Sequence, residues 1–121
     1  MIPVTGATRL FLYRGAADMR KGFDGLSGMV QQHFKEDLFS GSLFIFVNRR
    51  RDRLKMLYWD RDGLALWYKR LERGKFRMPS GEQDQSVELS SAELSMLLEG
   101  ITPLRLSKRY DRNKAVGGVP G

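Results

Sequence analysis

Apolar and aromatic residues recur along the chain in short segments that predict a β-sheet. Five segments have the length and composition of strands, and the one at 43–47, apolar at every position, is expected to be covered on both faces. The sequence DRDG at 60–63 separates two of these segments, and its Asp-Gly pair is typical of a tight β-hairpin. The predicted strands are Arg9–Arg14, Leu43–Val47, Arg53–Trp59, Leu64–Leu71 and, as a short edge strand, Val87–Leu89.

A long amphipathic helix is predicted after the first strand. Asp18 is the expected N-cap, because its carboxylate can accept hydrogen bonds from the first-turn amides. Glycines at 22, 25 and 28 interrupt the helix, and we expect them to let another backbone approach closely, which would offset their low helix propensity. The apolar stripe, with spacings of three and four residues, is Met19, Phe23, Leu26, Val30 and His33.

A second, shorter helix is predicted to begin after Ser90 or Ser91 and to end near Glu99, with Gly100 as its stop. The elements together predict an α+β fold, in which an antiparallel sheet of about four to five strands packs against one long and one shorter helix. We expect residues 1–107 to form a single domain and residues 108–121 to be a basic, disordered tail.

A two-residue turn in the hairpin would determine which side chains share a face of the sheet. One face is nearly all apolar and is the better core face; it carries Leu54, Met56, Tyr58, Ala65, Trp67, Lys69 and Leu71. The other face mixes cations with aromatic residues, which either contact nucleic acid or form a solvated face half covered by another element. That second face carries Arg53, Lys55, Leu57, Trp59, Leu64, Leu66, Tyr68 and Arg70.

Composition excludes several classes of protein. The chain has 121 residues and no cysteine, which excludes disulfides, thiolate nucleophiles and cysteine-ligated zinc. It has one histidine, which leaves little basis for a metal site built from histidines. Its apolar segments are too short to span a membrane, and the N-terminus has no secretory signal pattern, so we expect a cytoplasmic protein.

Positive charge is concentrated in one part of the sequence. The chain has a formal net charge of +7, and residues 43–77 alone hold eleven basic and four acidic side chains. Residues 78–100 hold five acidic and no basic side chains. Such a basic segment favours a polyanionic partner, usually nucleic acid, although solubility alone can also account for a basic protein.

No motif supports catalysis. Scattered aspartates could in principle form a two-metal nuclease site, but their spacing matches no such motif, and most occupy predicted turns or caps, where aspartate is favoured anyway. His33 lies on the apolar helix stripe, where packing is a better explanation than acid–base chemistry. The sequence therefore predicts no catalytic residue, no metal ligand and no cofactor.

Three segments resemble a known family. DMRKGFDGL at 18–26, SGSLFIFVNRRRDRLKMLYWDRDGLALWYKRLERGKFRMP at 40–79 and VELSSAELSMLLEGI at 87–101 are similar to the TnpB accessory proteins of insertion sequences. These small proteins are encoded beside a large, separate DDE transposase and are unrelated to the RNA-guided nuclease of the same name. The resemblance implies a role in DNA transposition and no catalytic residues.

The charge pattern and the resemblance together predict a non-catalytic accessory protein that binds transposon DNA, the transposase, or both. A protein-only adaptor that never contacts DNA is the first alternative, and a small metal-dependent nuclease is the second. The candidate nucleic-acid-binding residues are Arg49, Arg50, Arg51, Arg53, Lys55, Lys69, Arg70, Arg73 and Lys75.

Overall fold

The computed structural model describes residues 5–79 and 85–100. These residues form one five-stranded sheet, two α-helices and a short 3-10 helix, Leu38–Ser40. No helix among the described residues has both the length and the apolar character needed to cross a membrane. The elements in chain order are β1 (Leu10–Ala16), α1 (Phe23–His33), β2 (Leu43–Val47), β3 (Arg53–Asp60), β4 (Gly63–Arg70), β5 (Ser86–Leu89) and α2 (Ser91–Glu99).

The strand order across the sheet is β4-β3-β2-β1-β5, so β4 and β5 are its edges. The α+β prediction is confirmed, and so is the short strand at the sheet edge. The sheet is antiparallel except at one pair, because β1 and β2 run parallel with Leu10 opposite Leu43. A parallel pair needs a long crossover connection, and α1 lies within that connection.

The β3–β4 hairpin has the predicted register, with Lys55 opposite Tyr68 and Asp60 opposite Gly63. Its turn consists of Arg61 and Asp62. The left-handed conformation falls on Arg61, with φ 59°, and not on the glycine, although the Asp-Gly pair was the signal for the turn. The hairpin location and the faces of its two strands were therefore correctly predicted.

Both faces of the sheet are covered by helices, as expected for a sheet that packs against one long and one shorter helix. The face with Leu54 and Met56 packs against α2 and against Phe76, which is 1% exposed. The opposite face packs against α1, and Leu57 is fully buried there. Since β2 lies in the middle of the sheet, all five of its residues are buried, as its continuous apolar sequence predicts.

The long helix differs from its prediction at the N-terminal end. It begins at Phe23 with Gly22 as N-cap, and Asp18 instead closes a separate turn in which its side chain accepts a hydrogen bond from the Arg20 amide. The glycines do not make room for a neighbouring backbone: a Cβ atom added at Gly28 would meet nothing within 4 Å, and the nearest atoms to one added at Gly25 belong to the Lys21 side chain.

The second helix matches its prediction. The Ser90 hydroxyl accepts from the Glu93 amide, and the Glu93 carboxylate accepts from the Ser90 amide, so the two residues form a capping box. Gly100 follows the last helical residue with φ 77°. The predicted tail at 108–121 lies outside the described residues, and the single-domain boundary at 107 stays a prediction.

Candidate nucleic-acid interface

The topology gathers most of the predicted cations at one end of the sheet. The β2–β3 loop precedes β3, and the chain leaves β4 opposite the start of β3, since Arg53 pairs with Arg70. Residues 48–53 and 69–75 therefore meet at the same end, which holds eight cationic side chains and two carboxylates, Asp52 and Glu72. We call this group the cationic end; its cations are Arg49, Arg50, Arg51, Arg53, Lys69, Arg70, Arg73 and Lys75.

The β2–β3 loop is held by the side chain of Asn48. Its amide oxygen accepts hydrogen bonds of 3.0 Å from the backbone N–H groups of Asp52 and Arg53, and its amide nitrogen donates to the Asp52 carboxylate at 2.8 Å. The Arg51 amide also donates to the Asn48 carbonyl oxygen. A polar residue before the arginines thus gives their loop a defined conformation.

Arg51 adopts a backbone conformation that side chains rarely occupy. Its φ is 61°, in the left-handed region that favours glycine. A non-glycine residue costs of order 1 kcal/mol there, so the fold is not optimised for stability at this position. Since glycine would be less strained here, replacing Arg51 by glycine tests whether its positive charge has a role.

The segment after β4 is attached to this loop through backbone hydrogen bonds. The Leu71 amide donates to the Asp52 carbonyl at 2.8 Å, and the Phe76 amide donates to the Arg51 carbonyl at 2.7 Å. Because Phe76 is buried, it anchors the segment beside the loop. Arg73 and Lys75 lie between these two attachment points and are exposed.

The two carboxylates at this end neutralise little of the positive charge. The Asp52 carboxylate accepts the hydrogen bond from Asn48, which lowers the pKa of Asp52, and the nearby charges of Arg50 and Arg53 lower it further. Glu72 pairs with Arg70 at 3.2 Å, but both side chains are mostly exposed and such pairs stabilise little. Within the described residues, the other cations of the cationic end form no ion pair.

Two of the shallow depressions at the cationic end are lined in part by Arg53. One has a volume of about 450 Å³ and lies between the β2–β3 loop, with Arg49, Arg50 and Arg53, and the turn that contains Asp18. The other is lined by Arg53, Tyr68, Arg70 and Glu72. The second combines cations with an aromatic ring that is 49% exposed, so it offers both phosphate contacts and a stacking surface.

Lys55 must be removed from the predicted set. It is 6% exposed, and its ammonium group donates hydrogen bonds of 2.8 Å to the carbonyl oxygens of Met19 and Lys21. The Tyr68 ring covers the same ammonium group, with its centroid 4.7 Å from Nζ. These contacts commit the charge to the interior, so the ammonium group is not available to a phosphate in this fold.

The remaining predicted residues surround the end of the sheet instead of forming one flat face. Arg53 and Arg70 lie on the face toward α1, whereas Lys69, opposite Leu54, lies on the face toward α2. Trp59, an aromatic residue of the predicted mixed face, lies at the other end of β3 and contacts Phe39 edge to face with 5.1 Å between ring centroids. Tyr68, in contrast, places a half-exposed aromatic ring beside Arg53 and Arg70.

Within residues 5–79 and 85–100, no group of three or more histidine, aspartate or glutamate side chains could hold a metal ion. Asp60 and Asp62 are exposed at the β3–β4 turn, at the opposite end of the sheet from the cationic end. The ring of His33 packs against Tyr13, with 5.0 Å between centroids. These positions agree with structural roles for the aspartates and the histidine.

Comparison with known proteins places this arrangement in a family. The model for the family described as IS66 Orf2 like protein matches residues 8–108, which include both helices, all five strands and the whole cationic end. The chain belongs to the IS66 Orf2-like family. It is thus an accessory protein of transposition, as its resemblance to the accessory proteins of insertion sequences implied.

Two relatives of this IS66 Orf2-like chain come from Sinorhizobium fredii (strain NBRC 101917 / NGR234). The protein named Uncharacterized protein y4hO is 40% identical over 101 residues, covering 84% of this chain and 87% of its own length. Uncharacterized protein y4jC is 33% identical over 109 residues, covering 90% of this chain and 92% of its own length. No solved structure matches the chain significantly.

Proposed function

We propose that this accessory protein binds duplex DNA of the transposon through its cationic end, without catalysing a reaction. The observation that carries the proposal is that residues 48–53 and 69–75, which meet at one end of the sheet, hold eight cations against two carboxylates. Lysine and arginine side chains bind duplex DNA by displacing the counterions condensed on phosphates. A cluster with few internal ion pairs can do so without first breaking contacts within the protein.

The backbone of the cationic end supports the same proposal. The Asn48 hydrogen bonds and the attachment of residues 71–76 hold the cations on a defined frame, so less conformational freedom is lost on binding. The arginine at the strained position 51 adds positive charge where glycine would relieve strain. Few base-reading amide side chains accompany the cations, so binding should depend weakly on DNA sequence.

The test is the affinity of the full chain for a labelled transposon-end duplex and for a random duplex, measured by fluorescence anisotropy between about 50 and 200 mM salt. We expect similar dissociation constants of roughly 1 to 100 μM for both duplexes and a log–log plot that falls linearly with salt. Absence of binding at about 100 μM protein in low salt would contradict the proposal.

A pair of matched variants locates the contact. Arg49→Ala/Arg51→Ala removes two charges from the cationic end, and we expect it to reduce the magnitude of the salt slope by about two. Lys35→Ala/Arg61→Ala is the control, because it also removes two exposed charges, but from positions away from the cationic end. Arg61 matches Arg51 in having a positive φ, so the two variants also change backbone strain in a similar way. Equal effects of the two variants would mean that net charge, and not the cationic end, determines binding.

The same variants distinguish DNA binding from a protein-only adaptor. If the cationic end binds an acidic surface of the transposase instead, the parent chain does not bind either duplex, whereas Arg49→Ala/Arg51→Ala weakens its association with purified transposase. That outcome would replace our proposal with the adaptor function.

A further inference from the structure

The outer edge of β4 is an open strand edge in the described part of the chain. β4 pairs with β3 and, among residues 5–79 and 85–100, with no other strand. It is eight residues long, twice the length of β5 at the opposite edge of the sheet. Because an antiparallel ladder uses alternate residues, half of the N–H and C=O groups of β4 point away from β3.

The side chains of β4 do not protect this edge. Its central residues, Leu64 to Tyr68, include no charge and no proline, which are the usual features that prevent edge pairing. Leu64, Leu66 and Trp67 are only partly buried, and Tyr68 is 49% exposed, in contrast to the complete burial of β2. The edge thus offers both backbone hydrogen bonds and apolar contact to another strand.

We propose that two copies of the chain pair antiparallel along β4 and form one continuous ten-stranded sheet. The charges at the two ends of the strand support a second copy as the occupant. Asp60 and Asp62 lie before β4, and Lys69 and Arg70 lie at its end. Antiparallel pairing brings the acidic end of one copy against the basic end of the other, and a twofold axis produces this contact twice.

The pleat of the sheet restricts the register. A twofold axis perpendicular to the sheet keeps each face continuous, so directly opposite residues must be both even-numbered or both odd-numbered. Two registers then keep most of β4 paired: Leu66 opposite Leu66 of the partner subunit, or Trp67 opposite Trp67 of the partner subunit.

Charge selects the first of these registers. With Leu66 on the axis, Asp62 lies opposite Arg70 of the partner subunit, whereas with Trp67 on the axis it lies opposite the like-charged Glu72. Each register places a leucine opposite Tyr68, Leu64 in the first and Leu66 in the second, so apolar cross-strand pairs stabilise either one and the charges decide between them. The existing Arg70–Glu72 ion pair is exposed, so Arg70 can exchange it for Asp62 at little cost.

The first test is the mass of the full chain without DNA, measured by sedimentation equilibrium over a range of concentrations. We expect a mass near twice the 13.9 kDa of the chain as the concentration rises. A monomer at every concentration up to about 1 mM, the limit of weak association, would overturn the proposal and leave the edge to a strand from another protein. Because no DNA is present, this result is independent of the proposed DNA binding.

Charge reversal tests the register. Asp62→Lys and Arg70→Glu each place like charges opposite one another twice in a homodimer, so each variant alone should dimerise at least about tenfold more weakly than the parent chain. An equimolar mixture should regain the dimer, because Lys at 62 then faces Glu at 70 and Asp62 faces Arg70. Regained assembly in the mixture also shows that both variants are folded.

Glu99→Lys is the matched control, since it makes the same charge change as Asp62→Lys at an exposed position on α2. It should dimerise like the parent chain. Two outcomes would overturn the β4 pairing and show that the copies meet through another surface. One is that neither charge reversal weakens dimerisation. The other is that the mixture dimerises no more strongly than the single variants.

Discussion

The ammonium nitrogen of Lys55 lies 2.8 Å from the carbonyl oxygen of Met19 and donates a hydrogen bond to it. An equal bond to Lys21 fixes the turn that precedes α1, so one side chain of β3 attaches the helix to the sheet. Lys55 is buried without an ion-pair partner among the described residues, and the two carbonyls and the Tyr68 ring face its charge. Although Lys55 belongs to the basic segment 43–77 in sequence, its charge is buried and stabilises the fold.

Lys55→Met should therefore lower the free energy of unfolding by about 2 to 3 kcal/mol, because it removes charged hydrogen bonds and leaves two carbonyl oxygens without their donor. Chemical denaturation measures the change. Lys69→Met is the control, since Lys69 is exposed and its loss should change stability by no more than about 0.5 kcal/mol. Equal stability of the two variants would show that the Lys55 contacts contribute nothing.

Arg51 and Arg61 provide a second comparison, because both have φ near 60° and they lie at opposite ends of β3. Glycine relieves the strain at either site but adds freedom to the unfolded chain, so Arg51→Gly and Arg61→Gly should each leave stability unchanged or raise it by up to about 1 kcal/mol. Thermal unfolding measures this effect.

DNA affinity should separate the same two glycine variants. Arg51→Gly should weaken binding and reduce the salt slope by about one, whereas Arg61→Gly should bind like the parent chain. If both bind like the parent chain, the charge at position 51 is not part of the interface. If either variant unfolds, the arginine side chain at that position stabilises the fold by more than the strain of its positive φ costs.

Local sequence signals predicted the parts of the fold that depend on neighbouring residues. The continuous apolar segment gave β2 its correct bounds, and α2 begins after Ser90, one of the two serines predicted to precede it. The β3–β4 register followed from a two-residue turn and the alternation of side chains. In each case, the signal that supports the prediction lies within a few neighbouring residues of the sequence.

The features that escaped prediction depend on particular side-chain hydrogen bonds, and for Lys55 the partners are also distant in sequence. Lys55 looked like a surface cation because its partners, Met19 and Lys21, are 36 and 34 residues away in sequence. Asp18 has the properties of an N-cap, but the turn held by its bond to Arg20 delays the helix to Phe23. At the candidate site, charge alone identified the cations, whereas no sequence signal indicated that the Asn48 side chain holds their loop.

Asp18 should make part of the stability depend on pH. Its side chain accepts hydrogen bonds from the Arg20 guanidinium and backbone amide, which lower the pKa of Asp18 to about 2. Because the pKa is lower in the folded state than in the unfolded chain, the stabilisation is present above about pH 4 and is lost as the pH falls toward 2.

Asp18→Asn should therefore lower the melting temperature at neutral pH, and the difference from the parent chain should shrink on acidification through this range. Arg20→Gln removes the partner of the carboxylate and should weaken the same pH dependence. Melting curves between about pH 2 and pH 7 measure both variants. A constant difference across the series would mean that the charge of Asp18 is not responsible.

The protein alone should not hydrolyse a phosphodiester bond in Mg²⁺ or Mn²⁺. Metal-dependent nucleases need carboxylates gathered on the ions, and no such cluster exists in the described residues. Incubation with supercoiled plasmid, followed by gel electrophoresis, measures nicking. Nicking by the parent chain that is lost in Asp60→Ala/Asp62→Ala would establish the nuclease alternative and assign it to the β3–β4 turn.

The arginine loop offers a test in cells. Arg49→Ala/Arg50→Ala/Arg51→Ala removes three exposed, mutually repelling charges and no core contact, so thermal stability should be unchanged or slightly higher. The salt slope for DNA should fall by about two to three, and transposition frequency should drop while the amount of protein stays normal.

Each result for this triple variant has a distinct physical meaning. Asn48 and the backbone bonds of residues 71–76 hold the loop without using the arginine side chains, so a folded variant with low transposition assigns function to the charges themselves. Parental DNA binding and transposition would show that the loop is only a solvated turn. Unfolding of the variant would show that the guanidinium groups themselves stabilise the loop. The argument that Asn48 and backbone hydrogen bonds hold the cationic end without the arginine side chains would then be wrong.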